Sequence, residues 1–430
     1  MRERWKTLTV KYPILVSIST LLSGTMVAQL IGFLTQPILG RIYTEEQFGM
    51  HALLLAIPLT VVAVGALRYD MAIMLPSDES ESRRLLRASL VIIGILSLLT
   101  TIITWIFRTP ISELVNAPEL APWLPISGLI VATLGGIGTI TFWLNRQLEY
   151  GTISRNRMLM AGAQAGGQIG SHYVGLGGLF GLVWGHILAQ GAAIALLAHR
   201  ARDAIFTPSG CTTPLKELFS RYKKMPLLNA PNALVDAFRI NGIVVLLGMA
   251  YSAGVVGQFG RSWGLMQAPV TLIAGAISQV FYQRFATAKR GELYKLVRLS
   301  VLVAVGAAAL PFLILFFIVP WFVPWYLGPN WELAGVISQA LIPWLFIMVA
   351  TSPISTVFVV VNRQQDMLMF AIAYALIPLS LIFLFGAKLD IVAMMWLISA
   401  TMSIMLIGLT ALTLWVAHRF DHGEETYEVE

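Results

Sequence analysis

Five ionisable side chains interrupt long apolar stretches of this sequence: Arg68, Asp70, Asp236, Arg239 and Arg261. A charge in such a stretch is costly and usually faces a protein interior or a water-filled cavity. Guanidinium groups stay charged and offer a planar fork of donors that matches phosphate oxygens. Arg239 and Arg261, with Arg68 as a third cation, therefore suit a ligand that carries phosphate or pyrophosphate. Asp236 and Arg239 stand three residues apart, on one face of a helix, where they can pair. Asp236 and Asp70 could compensate the cations or take up a proton or a sodium ion, and the residues leave those roles open. Arg68 with Asp70 reads first as an internal ion pair, because Arg68 can snorkel to a nearby interface. Gln29, Asn232, Asn241 and Gln279 are amides in the same apolar setting. Each alone reads as a helix–helix hydrogen bond; as a set they suit the hydroxyls of an oligosaccharide. No catalytic constellation and no metal cluster stands out. The single cysteine, Cys211, excludes an internal disulfide.

The elements that hold these residues follow from composition. Of 430 residues, 57% are apolar and only 12% are charged, about half the ~25% of soluble domains. That excludes a soluble enzyme or a nucleic-acid binder, despite a formal charge of +7. Apolar runs of about 20 residues mark helices that cross a bilayer. The sequence predicts about 12 of them, near 13–40, 48–75, 86–107, 122–144, 157–175, 179–198, 226–250, 253–282, 295–318, 333–361, 366–386 and 391–418. The basic start (Arg2, Arg4, Lys6, Lys11) resembles a signal peptide, but the apolar stretch behind it is too long and reads as a retained helix. With both termini in the cytoplasm, about 23 of the 29 basic residues fall on the cytoplasmic side. Only Arg41, Arg108 and Lys388 then lie outside.

The predicted fold class is an all-α polytopic membrane protein: two six-helix bundles, at 1–198 and 226–418, joined by a connection at 199–225. Residues 419–430 are expected to form an acidic, mobile cytoplasmic tail beginning at Asp421. In the connection, Leu215, Leu218, Phe219 and Tyr222 recur at helical spacing among Lys216, Arg221, Lys223 and Lys224. That pattern predicts an amphipathic helix on the inner leaflet; a solvated basic linker is the plainer alternative. Gly40, Tyr43 and Gly49 after the first span match Gly248, Tyr251 and Gly257 after the seventh, with identical spacing. Asn145-Arg146-Gln147 after the fourth matches Asn362-Arg363-Gln364 after the tenth. A shift of six spans preserves orientation, so the halves read as a parallel internal repeat, with ligand held between them as in many transporters. Prolines at 37, 58, 226, 269, 311, 343 and 353 predict kinks. The small residues Gly162, Ala163, Ala165, Gly166, Gly167 and Gly170 predict a close helix contact.

Several stretches carry a resemblance. GTMVAQLIGFLTQPILGRIYTEEQFG (24–49), RYDMAIMLP (68–76), NRQLEYGTISR (145–155), RYKKMPLLNAPNAL (221–234), ISQVFYQRF (277–285) and YLGPNWELAG (326–335) occur in order. Together they resemble the Wzx-type oligosaccharide flippases, polysaccharide-biosynthesis proteins of the multidrug/oligosaccharidyl-lipid/polysaccharide (MOP) exporter superfamily. The resemblance runs from about residue 14 to 418. It implies a MATE-like fold and alternating access, driven by a proton or sodium gradient with no cofactor. It implies a multi-pass protein of the bacterial cytoplasmic (inner) membrane. The implied cargo is an undecaprenyl-pyrophosphate-linked oligosaccharide for O-antigen, capsule or exopolysaccharide. Membrane lipids and a polysaccharide polymerase or ligase are the implied partners; nucleic acid is not. Cationic cavity residues are expected in that family, in agreement with Arg239 and Arg261. The DAFRIN stretch (236–241) is more charged than the resemblance leads one to expect, so it is not carried over as a family motif. The alternatives are a drug/cation antiporter or a lipid II flippase of the same superfamily. A membrane glycan ligase or glycosyltransferase is disfavoured by short outward loops with few carboxylates.

Overall fold

A computed structural model describes residues 13–207, 210–288 and 290–423. Twelve long helices account for most of them: α1 (Pro13–Ile42), α2 (Glu45–Ala63), α3 (Glu79–Ile106), α4 (Ile126–Arg146), α5 (Tyr150–Tyr173), α6 (Gly178–Arg200), α7 (Ala230–Ala250), α8 (Ala253–Ala286), α9 (Leu293–Leu327), α10 (Glu332–Thr351), α11 (Gln364–Phe385) and α12 (Ile391–Asp421). Each matches one predicted span, and the described residues form no strand. Nine are also apolar enough to cross a membrane; α1, α5 and α8 are not among the nine. The protein is a multi-pass, all-α membrane protein.

The chain divides into two units, 1–237 and 238–430, so the division falls inside α7. In the first unit α4 packs on α2, α3 and α6, and α5 packs on α1 and α6. In the second unit α10 packs on α8, α9 and α12, and α11 packs on α12. The pairings α2–α4, α3–α4, α4–α6 and α5–α6 thus recur six helices later. α4 and α10 are the most enclosed spans, with 56% and 61% of their apolar windows buried. The repeated sequence signatures do equivalent work. The Tyr43 hydroxyl donates to the Gln168 carbonyl at 2.6 Å, and the Tyr251 hydroxyl donates to the Leu389 carbonyl at 2.9 Å. Each ties the turn after its unit's first helix to a distant backbone segment.

The second predicted span is not one continuous helix. Ala66, Leu67 and Arg68 all have positive φ (52°, 50° and 62°), a left-handed excursion that costs side chains with a Cβ energy. A short helical turn, Tyr69–Ala72, follows. Of the predicted proline kinks, those at Pro226 and Pro353 lie where the helix changes form, in a π turn (Met225–Asn229) and a 3-10 turn (Pro353–Thr356). The small-residue stripe on α5 works at one point. A Cβ on Gly167 would stand 2.9 Å from the Gly185 Cα, and one on Gly185 would stand 2.6 Å from the Gln168 nitrogen. Gly162, Gly166 and Gly170 face open space.

The connection departs from its prediction. Leu215–Arg221 is helical, but its apolar face lies on the first unit instead of on lipid. Leu218 is fully buried in a cluster with Ala72, Leu85, Leu86, Trp143 and Leu197. The Phe219 ring lies 4.5 Å from that of Tyr69. Polar bonds reinforce the docking: Arg221 Nη1 reaches both Glu81 oxygens at 3.1 and 2.9 Å, Thr213 Oγ1 donates to Glu81 at 2.9 Å, and Arg84 donates to the carbonyls of Cys211 and Thr213. Glu81 is buried, so it needs those donors. Asp421 also departs from the expected mobile tail. It ends α12, and its carboxylate accepts the backbone N–H groups of Gly291, Leu293 and Tyr294 at 2.9–3.1 Å. It therefore satisfies donors at the amino end of α9 that no helical carbonyl reaches. Residues 1–12, with the basic start, and 424–430 lie outside the described residues.

Candidate functional site

Arg239 and Arg261 both belong to the second unit. At 1.5 Å per helical residue they stand about 16 Å and about 12 Å from the turn between α7 and α8. Both depths fall well inside a ~30 Å hydrocarbon layer. The Arg239 guanidinium carbon lies 5.2 Å over the ring of Tyr374 on α11. Tyr374 is itself fixed, because its hydroxyl accepts the indole N–H of Trp344 at 2.6 Å. Trp344 on α10 is buried and lies 5.2 Å from Trp263 on α8. A lattice of aromatic rings thus braces the cation from one side.

Arg261 is positioned by α8. Three and one residues away, Gln258 and Ser262 are buried and tie α8 to the start of α10. Gln258 donates to the Asn330 carbonyl at 2.7 Å and accepts the Ala334 N–H at 2.9 Å. The Ser262 hydroxyl donates to the Ala334 carbonyl at 2.7 Å. Arg261 is held on that face, partly buried, with Tyr326 of α9 as its electrostatic neighbour.

Of the other predicted residues, Asn232, Asp236 and Asn241 share α7 with Arg239, while Gln29, Arg68 and Asp70 belong to the first unit. Asp236 and Asn232 are exposed on α7, and Gln29 is exposed on α1. Asn241 is buried, with 9% of its surface exposed. The side chain of Gln279 lies outside the described residues. Arg68 and Asp70 belong to the first unit, beside the left-handed turn of α2. They form no ion pair within 4.0 Å, and the Arg68 Nε and one Asp70 oxygen are buried without a hydrogen-bond partner. The expected internal ion pair is therefore not made. Three consecutive left-handed residues break the helical face on which both side chains would have met.

A cavity of about 220 Å³ opens in the first unit where α3 begins and α4 and α6 end. Its charged lining, Glu79, Arg83, Glu149, Arg200 and Asp203, mixes both signs. Arg83 pairs with Glu79 at 2.7 Å, and Arg200 pairs with Glu149. That balance gives it no preference for an anion.

With the fold and these two arginines in view, the comparisons with known proteins decide the family. A family model described as polysaccharide biosynthesis protein matches residues 19–335. The chain belongs to this polysaccharide biosynthesis family. No curated protein matches it. Among solved structures, an inward-facing MATE family multidrug resistance transporter of the MOP superfamily aligns with a TM-score of 0.70 at 14% identity, over 96% of this chain and 100% of that one. Lipid II flippase MurJ in an inward closed conformation gives 0.71 at 13% identity, over 95% and 93%. A MOP superfamily transporter from Pyrococcus furiosus, described as having a binding pocket of reverse polarity, gives 0.58 at 14%, over 95% and 96%. At these identities the likeness establishes a shared fold.

For this family member the residues that sequence reasoning missed are the aromatic supports. Tyr374 carried one signal, a hydroxyl inside an apolar run. Trp263 and Trp344 carried none, since tryptophan in a span is ordinary.

Proposed function

We propose that this polysaccharide biosynthesis protein flips lipid-linked oligosaccharide across the bacterial cytoplasmic membrane by alternating access. The observation that carries the reading is Arg239, a guanidinium held over Tyr374 about three turns inside the apolar helix α7. Arg261 is a second partly buried cation on the neighbouring helix. A pyrophosphate-linked lipid is a cargo whose anionic head such groups match, and undecaprenyl-pyrophosphate is the carrier we assign. Membership of the family and the transporter fold support transport over glycan transfer. An ion gradient drives the cycle, both termini face the cytoplasm, and the delivered units feed a polymerase or ligase. Asp236 compensates cavity charge, and Asn241 is the buried amide best placed to meet sugar hydroxyls.

The test is translocation in sealed vesicles loaded with lipid-linked oligosaccharide under an imposed pH or sodium gradient. Gradient-dependent appearance of glycan on the far leaflet is expected. Arg239→Ala and Arg261→Ala should each lose it while still inserting into the membrane. Arg239→Lys should restore part of it, because an ammonium lacks the planar fork. Transfer of glycan onto an acceptor without translocation would instead make the protein an enzyme.

A further inference from the structure

The repeated signature Asn145-Arg146-Gln147 and Asn362-Arg363-Gln364 is put to different use in the two units. In the first, Arg146 donates to the Met74 carbonyl at 3.2 Å, within its own unit. In the second, Asn362 turns the chain through a positive φ of 57°. Arg363 behind it sets its guanidinium carbon 5.6 Å from the ring centre of Trp415 on α12. Arg419, one turn further along α12, lies 4.8 Å over the same ring. Two cations thus share one indole, and 47% of that tryptophan is exposed. Trp415 also closes an apolar stripe. Trp396, Ala400, Ile404, Ile407, Ala411 and Trp415 are exposed and recur at helical spacing along α12. The two tryptophans stand about 28 Å apart along the axis, close to the ~30 Å of a hydrocarbon layer. Tryptophan is enriched at both membrane–water interfaces. The stripe therefore spans the lipid, with Trp415 at one boundary. Arg419 stands about 6 Å beyond that boundary, at the depth of the lipid phosphates.

We propose that Arg363 and Arg419 hold the phosphate of an anionic phospholipid, whose acyl chain lies on the Ile404–Ala411 face of α12. Acyl chains wet an apolar stripe of this length, so the occupant is the phospholipid of the bilayer itself. The charge around Trp415 selects an anionic headgroup. This end of α11 and α12 carries Arg290, Arg363 and Arg419 against Asp366 and Asp421. Arg290 joins the cluster through Phe420, 6.0 Å from its guanidinium carbon. The start of α9, which Asp421 binds, adds Lys295 and Arg298 against Glu292. The surface is therefore net positive. At the Trp396 end, Lys388 and Asp390 balance, so only one end of the stripe favours an anion.

The chemistry follows from the parts. Guanidinium groups match phosphate oxygens, and their aliphatic stems lie along apolar surface while the charge reaches the headgroups. Asp366 steadies Arg363 from three residues further along α11, at 2.6 Å. Phosphatidylglycerol brings a net negative charge to this cluster. Phosphatidylcholine brings the same phosphate with its own ammonium, which cancels the attraction. Each basic residue near an anionic headgroup is worth about fivefold in association. All of these residues belong to the second unit, and the site stands whether or not the chain transports glycan.

The test is native mass spectrometry of the full chain in detergent, titrated with phosphatidylglycerol or with phosphatidylcholine of the same acyl chains. The readout is the ratio of the two affinities for the first lipid bound, which cancels a general loss of fold. Wild type should prefer phosphatidylglycerol by at least about fivefold. Arg419→Gln and Arg363→Gln should each lower that preference several-fold, and the double variant should abolish it. The matching double lysine variant should keep most of it, because the charge remains. Arg155→Gln removes one exposed cation from the first unit and should change nothing. Equal affinity of the wild type for both lipids, or a preference that survives the double glutamine variant, overturns the proposal. Displacement of phosphatidylglycerol by millimolar inorganic phosphate would show a phosphate site without a lipid. Tighter binding of undecaprenyl phosphate at the same two arginines would assign the site to cargo. Either result overturns the phospholipid as occupant.

Discussion

At the scale of single residues, the strongest constraint on the candidate site is not an arginine but the ring beneath one. A cation over a tyrosine face is worth about 0.5–2 kcal/mol, and Tyr374 is clamped through its hydroxyl by Trp344. Tyr374→Phe keeps the ring, so translocation that depends on Arg239 should persist. Tyr374→Leu removes the platform and should lower the rate several-fold in the same vesicle assay; equal rates for the two variants would discard the platform. Two glycines give an equally sharp contrast. Gly185→Ala places a Cβ 2.5 Å from Gln168 Cγ and 2.6 Å from its nitrogen. Overpacking of that kind costs about 1–3 kcal/mol. Gly162→Ala enters open space and should stabilise by roughly 0.5–1 kcal/mol through helix propensity. Thermal unfolding in detergent should move down for the first and up for the second.

At the scale of elements, apolar length was enough to place every long helix, because the bilayer sets that length. What covers an amphipathic face was not legible. Leu215, Leu218, Phe219 and Tyr222 announce an apolar stripe, but Arg84 and Glu81, which hold it to α3, lie more than a hundred residues away. Leu218→Ala should cost about 2–5 kcal/mol as a buried truncation. Together with Glu81→Ala it should open 210–214 to limited proteolysis, whereas a stripe resting on lipid would show no such dependence on Glu81. The junction of α4 and α5 carries a pH dependence. The hydrogen bond from Arg200 beside Glu149 holds that carboxyl below its ordinary value. A carboxyl lowered on folding stabilises above its unfolded pKa, about 4.3, and loses that contribution as pH falls through the folded one. Arg200→Ala should therefore move the acid limb of unfolding to higher pH. An unmoved limb would show that the pair contributes nothing there.

At the scale of the whole molecule, the internal repeat was legible in a few matched residues, and the recurring α2–α4, α3–α4 and α4–α6 contacts give those matches their physical meaning. The site was legible only as a list of costly charges. Sequence alone grouped Arg68 with Arg239 and Arg261, whereas the fold assigns Arg68 to the other unit, since hydropathy reports depth and not neighbours. The bond between Asp421 and the start of α9 has a further consequence, for synthesis. α9 enters the membrane with its amino end incomplete, and the residue that completes it follows 128 positions after Leu293. At about 5–20 residues per second the ribosome needs roughly 6–25 s to deliver it. The second unit must pass that interval with a frayed helix. Asp421→Ala should therefore leave membrane insertion intact while making newly made chains a better substrate for quality-control proteases, which a pulse-chase would register as a shortened half-life.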